Sequence, residues 1–235
     1  MKIQIIGQGN VGQNLAAAFC RVGLSPDRVS GHTLEGLRDD ADVYIYAIAD
    51  RALQEVVSAV HVPARALHIH TSGSMPLSVF GSDKPHAGIL YPFMSFSKDR
   101  ILEDFGVVPV FIQAAQIDDV AAIYSLAQNL TSRIYETTQA EREKLHVAGV
   151  LVNNFPNALY QMAAELLQGT SIPFSALLPL IDETAAKVHD MTPRDAQTGP
   201  ARRGDEQVMS HHKSLLSAED AEIYRLLSER ICKTY

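Results

Sequence analysis

The stretch that most constrains the fold lies at the start of the chain. "KIQIIGQGNVGQNLAAAFCRVG" reads as strand, turn and helix. Ile3, Ile5 and Ile6 make an apolar strand, and Gly7, Gly9 and Gly12 follow as G-x-G-x-x-G around Asn10 and Val11. Leu15, Phe19 and Val22 then recur at helical spacing. Each glycine has a task in a dinucleotide site: one makes the tight turn, one lets backbone approach a pyrophosphate, one packs helix on strand. The helix start then offers free N–H groups and partial positive charge to phosphates. A glycine turn with no ligand has the same pattern, but the placement between a first strand and a helix favours the nucleotide reading.

The second strand can only be "RVSG", residues 28–31. An acidic residue at its end would hold the ribose 2′-hydroxyl of NAD. His32 and Thr33 stand there instead. An imidazole and a hydroxyl suit a 2′-phosphate better than a carboxylate would, which favours NADP and leaves NAD open. His32 reads equally well as a plain surface residue. A further strand, 43–49, follows after barely ten residues, ending at Ala49. That leaves no room for a helix and third strand, so a truncated, mostly parallel sheet with one crossover lost is expected. The adenine side of such a pocket would be open, or completed by another subunit.

Asp50 reads as the cap of a helix over 51–60. "ALHIH" is a strand running into "TSGSMP", and loops at the carboxyl ends of such strands line the ligand crevice. Thr71, Ser72, Gly73 and Ser74 are therefore site candidates, or an ordinary polar turn. His68 and His70 share one strand face but have no carboxylate or Cys nearby in sequence, so no metal site is expected. Tyr91, Phe93 and Phe96 read as a wall over a nicotinamide or as core. A helix near 116–129 and the strand "SRIYE" close an α/β domain at residue 136.

Residues 137–235 read as all helical. Thr138 and Glu141 form a capping box that opens a helix running to Gly169, about 45 Å long. From 145 to 152 it is apolar nearly all round, which predicts burial, as in a homodimer core. Within that run His146 and Asn153 are two turns apart on one face, and Asn157 is a turn further. Pro156 should kink the helix there. The three polar groups satisfy one another or face a ligand; a full stripe is more than a kink needs. In the next helix Leu177, Leu180, Ile181 and Val188 read as core, and Asp182, Glu183 and Lys187 as solvated. Ser217 caps the last helix, and His211 and His212 read as surface. "MTPRDAQTGPARRGD", 191–205, is far longer and more charged than an ordinary helix connection of ~2–8 residues.

Net charge is −7 with no basic block, which argues against nucleic acid. No apolar run approaches the ~20 residues that cross a bilayer, and the N-terminus lacks the features of a signal peptide. Only Cys20 and Cys232 occur, without metal spacing, which reads as a reduced, cytoplasmic protein.

"IIGQGNVGQNLA", "HTSGSMP", "GILYPFMSFSK", "LHVAGVLVNNFPNALY", "LLPLIDETAAKVHDMTPRDAQTGPARRGD" and "IYRLLSE" together resemble a bacterial family. Its members pair a Rossmann-like NADP-binding domain with a helical C-terminal domain of unknown function, of the 6-phosphogluconate dehydrogenase type. They are generally labelled NADP oxidoreductases. Pyrroline-5-carboxylate reductase and the 6-phosphogluconate dehydrogenase group are wider relatives, whose helical domain commonly dimerises and closes the site over the nicotinamide. The resemblance implies that 193–205 folds back over the cleft. Arg194, Arg202 and Arg203 would then grip a carboxylate or phosphate beside Gln197, Thr198 and Gly199; a brace between helices is the alternative. A small, anionic metabolite is the implied substrate. His146 would be the general acid or base, since histidine exchanges protons near neutrality, with Asn153 and Asn157 holding the reacting oxygen or the carboxamide. Two departures stand out: "GHT" replaces a basic "SRT"-like turn, and the helix and strand usual after Glu35 are missing; Tyr91-Pro92 also stands where His-Pro is frequent, which argues against an essential acid–base residue there. The first, with the shortened second crossover, keeps a non-enzymatic dinucleotide-binding or sensing protein in play, and behind it a scaffold with a relict glycine turn.

Overall fold

The computed structural model describes residues 1–235 and divides into two compact units, Met1–Asn153 and Asn154–Tyr235. In the first unit seven strands form one sheet in the order β2-β1-β3-β4-β5-β6-β7. These are β1 Ile3–Ile6, β2 Asp27–Val29, β3 Val43–Tyr46, β4 Leu67–His70, β5 Ala87–Pro92, β6 Val110–Ala114 and β7 Ile134–Glu136. All neighbours pair parallel except β5 with β6. The fold is thus the expected α/β class with a mostly parallel Rossmann-like sheet. The lost crossover is also present: 30–42 passes from β2 to β3 through turns alone, without a helix.

Because the sheet is covered on both sides, its central strands are buried at every position rather than alternating. Ile3, Ile5, Val43, Ile45 and Ile69 face Leu15 and Phe19 of α1 (Asn10–Arg21) and Ile123 and Leu126 of α3 (Ile117–Gln128). Ile6, Tyr44 and Tyr46 face Leu53, Val56 and Val57 of α2 (Asp50–Ala59), with Val79 and Phe80 from a 3₁₀ turn. His68 and His70 lie in that second layer. The Tyr46 hydroxyl is 3.0 Å from His68 Nδ1, and both imidazoles pack on Phe80. No group of three or more His, Cys, Asp or Glu side chains is assembled to hold a metal.

The capping box at Thr138 forms as expected and starts α4 (Gln139–Gly149). The helix then passes through a π-helical segment, Val150–Asn154, before α5 (Phe155–Leu166). Pro156, with no N–H to give, sits in the first turn of α5. The disturbance predicted at the proline is therefore a widened turn just ahead of it. The compact units divide at Asn153, one helix later than the sequence boundary at 136. Arg142 supplies a reason: it ties α4 to β6, donating to Gln113 Oε1, and to the loop after β4, donating to the Met75 carbonyl at 2.7 Å.

The second unit is all helical: α5, α6 (Leu178–Asp190), α7 (Pro193–Ala196), α8 (Pro200–Arg203), α9 (Glu206–Ser214) and α10 (Ala218–Cys232). Burial expected from residue 145 onward, in the end of the first unit and in the second, is largely missing within one chain. Val147 and Val152 are 60% and 73% exposed, and Leu180 and Val188 are exposed rather than core, while Leu177 and Ile181 are half-buried. The apolar periodicity is real, but a single chain supplies no layer to cover it. Ser217 caps α10, and His212 is half-buried against the Tyr224 hydroxyl rather than lying free on the surface. No helix is long and apolar enough to cross a membrane.

Candidate functional site

A cavity of about 810 Å³ opens at the carboxyl ends of β1, β3 and β4. That is ample for a cofactor-sized ligand. Gly7, Gly9, Asn10 and Val11 form one wall, and Ala49, Thr71, Ser72 and Gly73 another. His32, Tyr91 and His146 also line it. Nine of the residues expected from sequence thus meet in one space: Gly7, Gly9, Asn10, Val11, His32, Ala49, Thr71, Ser72 and His146.

The glycine turn fits the pyrophosphate role on steric grounds. Gly7 has φ +136°, and a Cβ there would lie 2.1 Å from the Ala47 carbonyl oxygen. A Cβ on Gly12 would lie 2.5 Å from the Gly7 carbonyl oxygen. Gly12 is therefore buried beneath the turn rather than lining the cavity. Gly9 differs: a Cβ there meets nothing within 4 Å and would project into open space. Gly9 also N-caps α1 without a side-chain bond, so the first N–H groups of that helix have no side-chain cap. The Asn10 amide donates to the Phe96 carbonyl at 2.9 Å, fastening the loop after β5 to this turn.

The "TSGS" turn is ordered by its own hydroxyls. Ser72 Oγ accepts from the backbone N–H groups of Ser74 and Met75 at 3.1 and 3.0 Å. Ser74 Oγ donates to the Asp50 carboxylate. Asp50 therefore does not cap α2 as expected; it is the first helical residue, and Ala49 is the cap. Gly73 presses against a pair of side chains: a Cβ there would lie 2.7 Å from His146 Nδ1 and 2.9 Å from the Tyr91 hydroxyl. Those two polar atoms are 3.1 Å apart. Burial raises the proton affinity of the Tyr91 phenol, the Asp50 charge adds to this, and Arg142 opposes it. Arg142 is fully buried with no carboxylate partner, and its Nε has no partner. Burial accordingly lowers its own pKa.

Besides Gly12 and Ser74, two further predicted residues of this unit, Thr33 and Asn153, fall outside the cavity lining. Thr33 is exposed and its hydroxyl accepts weakly from the Glu35 N–H at 3.4 Å. Asn153 is exposed because the π-helical segment rotates the register, breaking the expected stripe with His146. The remaining four candidates belong to the helical unit. Asn157 is exposed on α5. Thr198 lines an apolar pocket of about 350 Å³ with Leu159, Met162, Leu166 and Leu227.

The long charged connector is two short helical turns with a brace. Arg202 donates to the Gln197 carbonyl and lies 4.9 Å over the Tyr235 ring. Arg194 donates to the Thr234 carbonyl at 3.2 Å, and the Tyr235 hydroxyl donates to the Arg194 carbonyl. Asp205 caps α9, and Arg203 alone of the three arginines makes no hydrogen bond. Sequence reasoning missed the Tyr91 hydroxyl, Arg51, Asp50 and Glu55 in the cavity, and the anchor Arg142. For Arg142 one signal existed: it lies four residues before His146, on the same helix face.

Residues 108–231 match the family described as "Domain of unknown function (DUF2520)". No curated protein matches the chain. Among solved structures, a Bacteroides fragilis protein provisionally named an NADP oxidoreductase is 37% identical, with TM-score 0.90, over 99% of this chain and 98% of that one. A Thermotoga maritima protein is 18% identical, with TM-score 0.77, over 98% and 99%. A reductive aminase from Aspergillus terreus, in complex with NADPH and ethyl levulinate, is 14% identical, with TM-score 0.71, over 99% and 93%. The last two likenesses concern the fold.

Proposed function

The chain belongs to the DUF2520 family, and from that premise we propose that it is an NADP-dependent oxidoreductase acting on a small metabolite. The observation that carries the reading is the single cavity in which the Gly9 cradle, the Ser72–Gly73 turn and the Tyr91–His146 pair face one another. The B. fragilis relative, by its name, and the aminase, by its bound NADPH, support the choice of cofactor.

In this reading the N–H groups at the start of α1 and the backbone at Gly9 bind the pyrophosphate, and Ala49, Thr71 and Ser72 orient the rest. The nicotinamide, when bound, supplies a hydride. The protein must supply or remove the accompanying proton, and His146 and Tyr91 are the groups placed to do so. Tyr91, kept protonated by its buried setting, donates; His146 Nδ1 restores the proton along the 3.1 Å contact. Asn157 remains a candidate for the reacting oxygen or carboxamide, and Arg203 for a substrate's negative charge. The exposed apolar side chains of 147–152 support a homodimer built on that segment, and two exposed free thiols suit a reducing, cytoplasmic setting.

Calorimetric titration with NADPH and NADH, followed by NADPH oxidation across a panel of carbonyls and imines, tests the proposal. Binding with turnover of at least one class is expected. Absence of binding to both dinucleotides rejects the whole reading. The helix-free passage from β2 to β3 favours a second reading, a dinucleotide sensor without turnover. Tight binding with no oxidation of NADPH across the panel would select it.

A further inference from the structure

We propose that Arg51, assisted by His32, holds the 2′-phosphate of NADP, a task that the end of β2 leaves unfilled. The inference rests on the dinucleotide reading above and specifies its adenosine end. β2 ends without an acidic residue for a ribose hydroxyl and without an arginine for a phosphate. Three guanidinium groups belong to this edge of the sheet or to the helix beside it. Arg38 is spoken for, bonded to Asp27 at 3.0 Å and Asp40 at 2.7 Å. Arg28 is exposed on β2 and does not line the cavity. Arg51 lines the cavity and makes no hydrogen bond or ion pair.

The backbone explains why residues from two elements converge there. A Cβ on Gly31 would lie 2.8 Å from Ile48 Cγ2, so the chain leaving β2 runs tightly against the residue that leads into α2. His32 follows the first contact point directly, and Arg51 follows the second by three residues. Ser30, Gly31, His32 and Arg51 all line the cavity. A guanidinium fork matches phosphate oxygens in pairs, and beside an imidazole and the Ser30 hydroxyl it makes a complete anion subsite. One residue competes. Glu55, a helical turn after Arg51, also lines the cavity and is not paired with it. A carboxylate there could accept from an unphosphorylated ribose, the NAD arrangement. The assignment to Arg51 therefore predicts a definite ranking of ligands.

Calorimetric titration of the full chain with 2′,5′-ADP, 5′-AMP, NADPH and NADH reads that ranking without any substrate. The unaltered protein should bind 2′,5′-ADP and NADPH at least tenfold more tightly than 5′-AMP and NADH. Charge-assisted hydrogen bonds contribute about 1.5–3 kcal/mol, so Arg51→Ala should weaken the phosphorylated pair roughly 10- to 100-fold. The unphosphorylated pair should change less than about twofold, and Arg51→Lys should recover part of the loss. Arg51 is exposed, so both variants should melt as the parent does. Equal loss for both pairs, no loss for either, or a parent preference for NADH would each overturn the assignment while leaving dinucleotide binding intact. Failure of all four ligands on the parent chain would reject the assignment together with the function it rests on.

Discussion

The Tyr91 hydroxyl stands 3.1 Å from His146 Nδ1, and Gly73 is packed so closely against both that no side chain fits between. Strand β5, helix α4 and the loop after β4 thus converge on one polar contact. Gly73→Ala should displace the pair, since its Cβ would fall 2.7 Å from the imidazole and 2.8 Å from the tyrosine ring. Misplacing reacting groups by about 1 Å can cost ~10²-fold in rate. The expected outcome is a fall in kcat of that order with NADPH affinity within threefold of the parent. Steady-state rates beside calorimetric binding check it. Unchanged turnover would remove the pair from the chemistry.

The two side chains should also act as one unit. Removing either end of a proton relay costs nearly as much as removing both. Tyr91→Phe and His146→Gln should each lower kcat by ~10²–10⁴-fold, the range of general acid–base catalysis, and the double variant should fall little further. Because burial raises the Tyr91 pKa, its proton is present throughout neutral pH and is lost only above the ordinary phenol range near 10. Any loss of rate below pH 8 should therefore persist in Tyr91→Phe. Additive losses in the double variant would show two separate roles.

How much of this could be read from residues alone differs sharply by kind of feature. The glycine turn, the parallel strands and the Thr138 capping box are local, each encoded within a few neighbouring residues, and all are present. His146 stands out as a polar group in an apolar run, but its partner does not. Tyr91 is 55 residues away in sequence, and an aromatic beside Pro92 and Phe93 reads as a wall over a nicotinamide or as core, not as a proton donor. Asn153 illustrates a second limit. A heptad spacing from His146 implies a shared face only if every turn is α-helical, and one π-helical segment breaks the inference. Arg142 illustrates a third. In "EREKLH" it looks like one more solvated charge, and only the tertiary fold buries it. Leu180 and Val188 have the spacing of core residues, but a single chain does not complete that core.

That missing cover makes its own prediction. Val147, Leu151 and Val152 expose more than half their area on a run with few charges. Exposed apolar patches of this kind mark interaction surfaces. Leu151→Lys combined with Val152→Glu should shift the chain from dimer to monomer in sedimentation at micromolar concentration. The Tyr91–His146 pair and NADPH binding should survive in the monomer if the cavity is complete within one chain. A parent chain already monomeric would end the dimer proposal.

The paired histidines of β4 set a pH dependence. Burial holds both His68 and His70 at about 4, against an ordinary value of 6.5. Both are therefore neutral in the fold at neutral pH, whereas the unfolded chain takes up protons below ~6.5. The unfolded state binds more protons in the window from 6.5 down to 4, so stability falls as pH falls through it and is unaffected above it. With two such groups the slope approaches ~2.7 kcal/mol per pH unit near pH 5. His68→Leu should roughly halve the slope. It should also cost about 1–3 kcal/mol at every pH, because the Tyr46 hydroxyl loses its partner. Denaturant midpoints between pH 4.5 and 8 measure both effects, and an equally steep acid limb in His68→Leu would contradict the assignment.

The glycine turn offers the sharpest separation of fold from function, because its members carry different burdens. A Cβ on Gly12 collides with the Gly7 carbonyl at 2.5 Å, and that obstacle is backbone, which cannot swing aside. Gly12→Ala must therefore spread α1 from β1 and should destabilise the protein by roughly 1–3 kcal/mol, as overpacking does. Gly9 has φ −80° and open space around it, so Gly9→Ala introduces neither strain nor collision in the protein itself. Its Cβ would instead occupy the space where a pyrophosphate approaches the backbone. Gly9→Ala should leave the melting temperature within about 1 °C of the parent while weakening NADPH at least tenfold. Gly12→Ala should lower both. Full NADPH affinity in Gly9→Ala would mean that the turn is a structural corner, with the phosphates bound elsewhere or not at all.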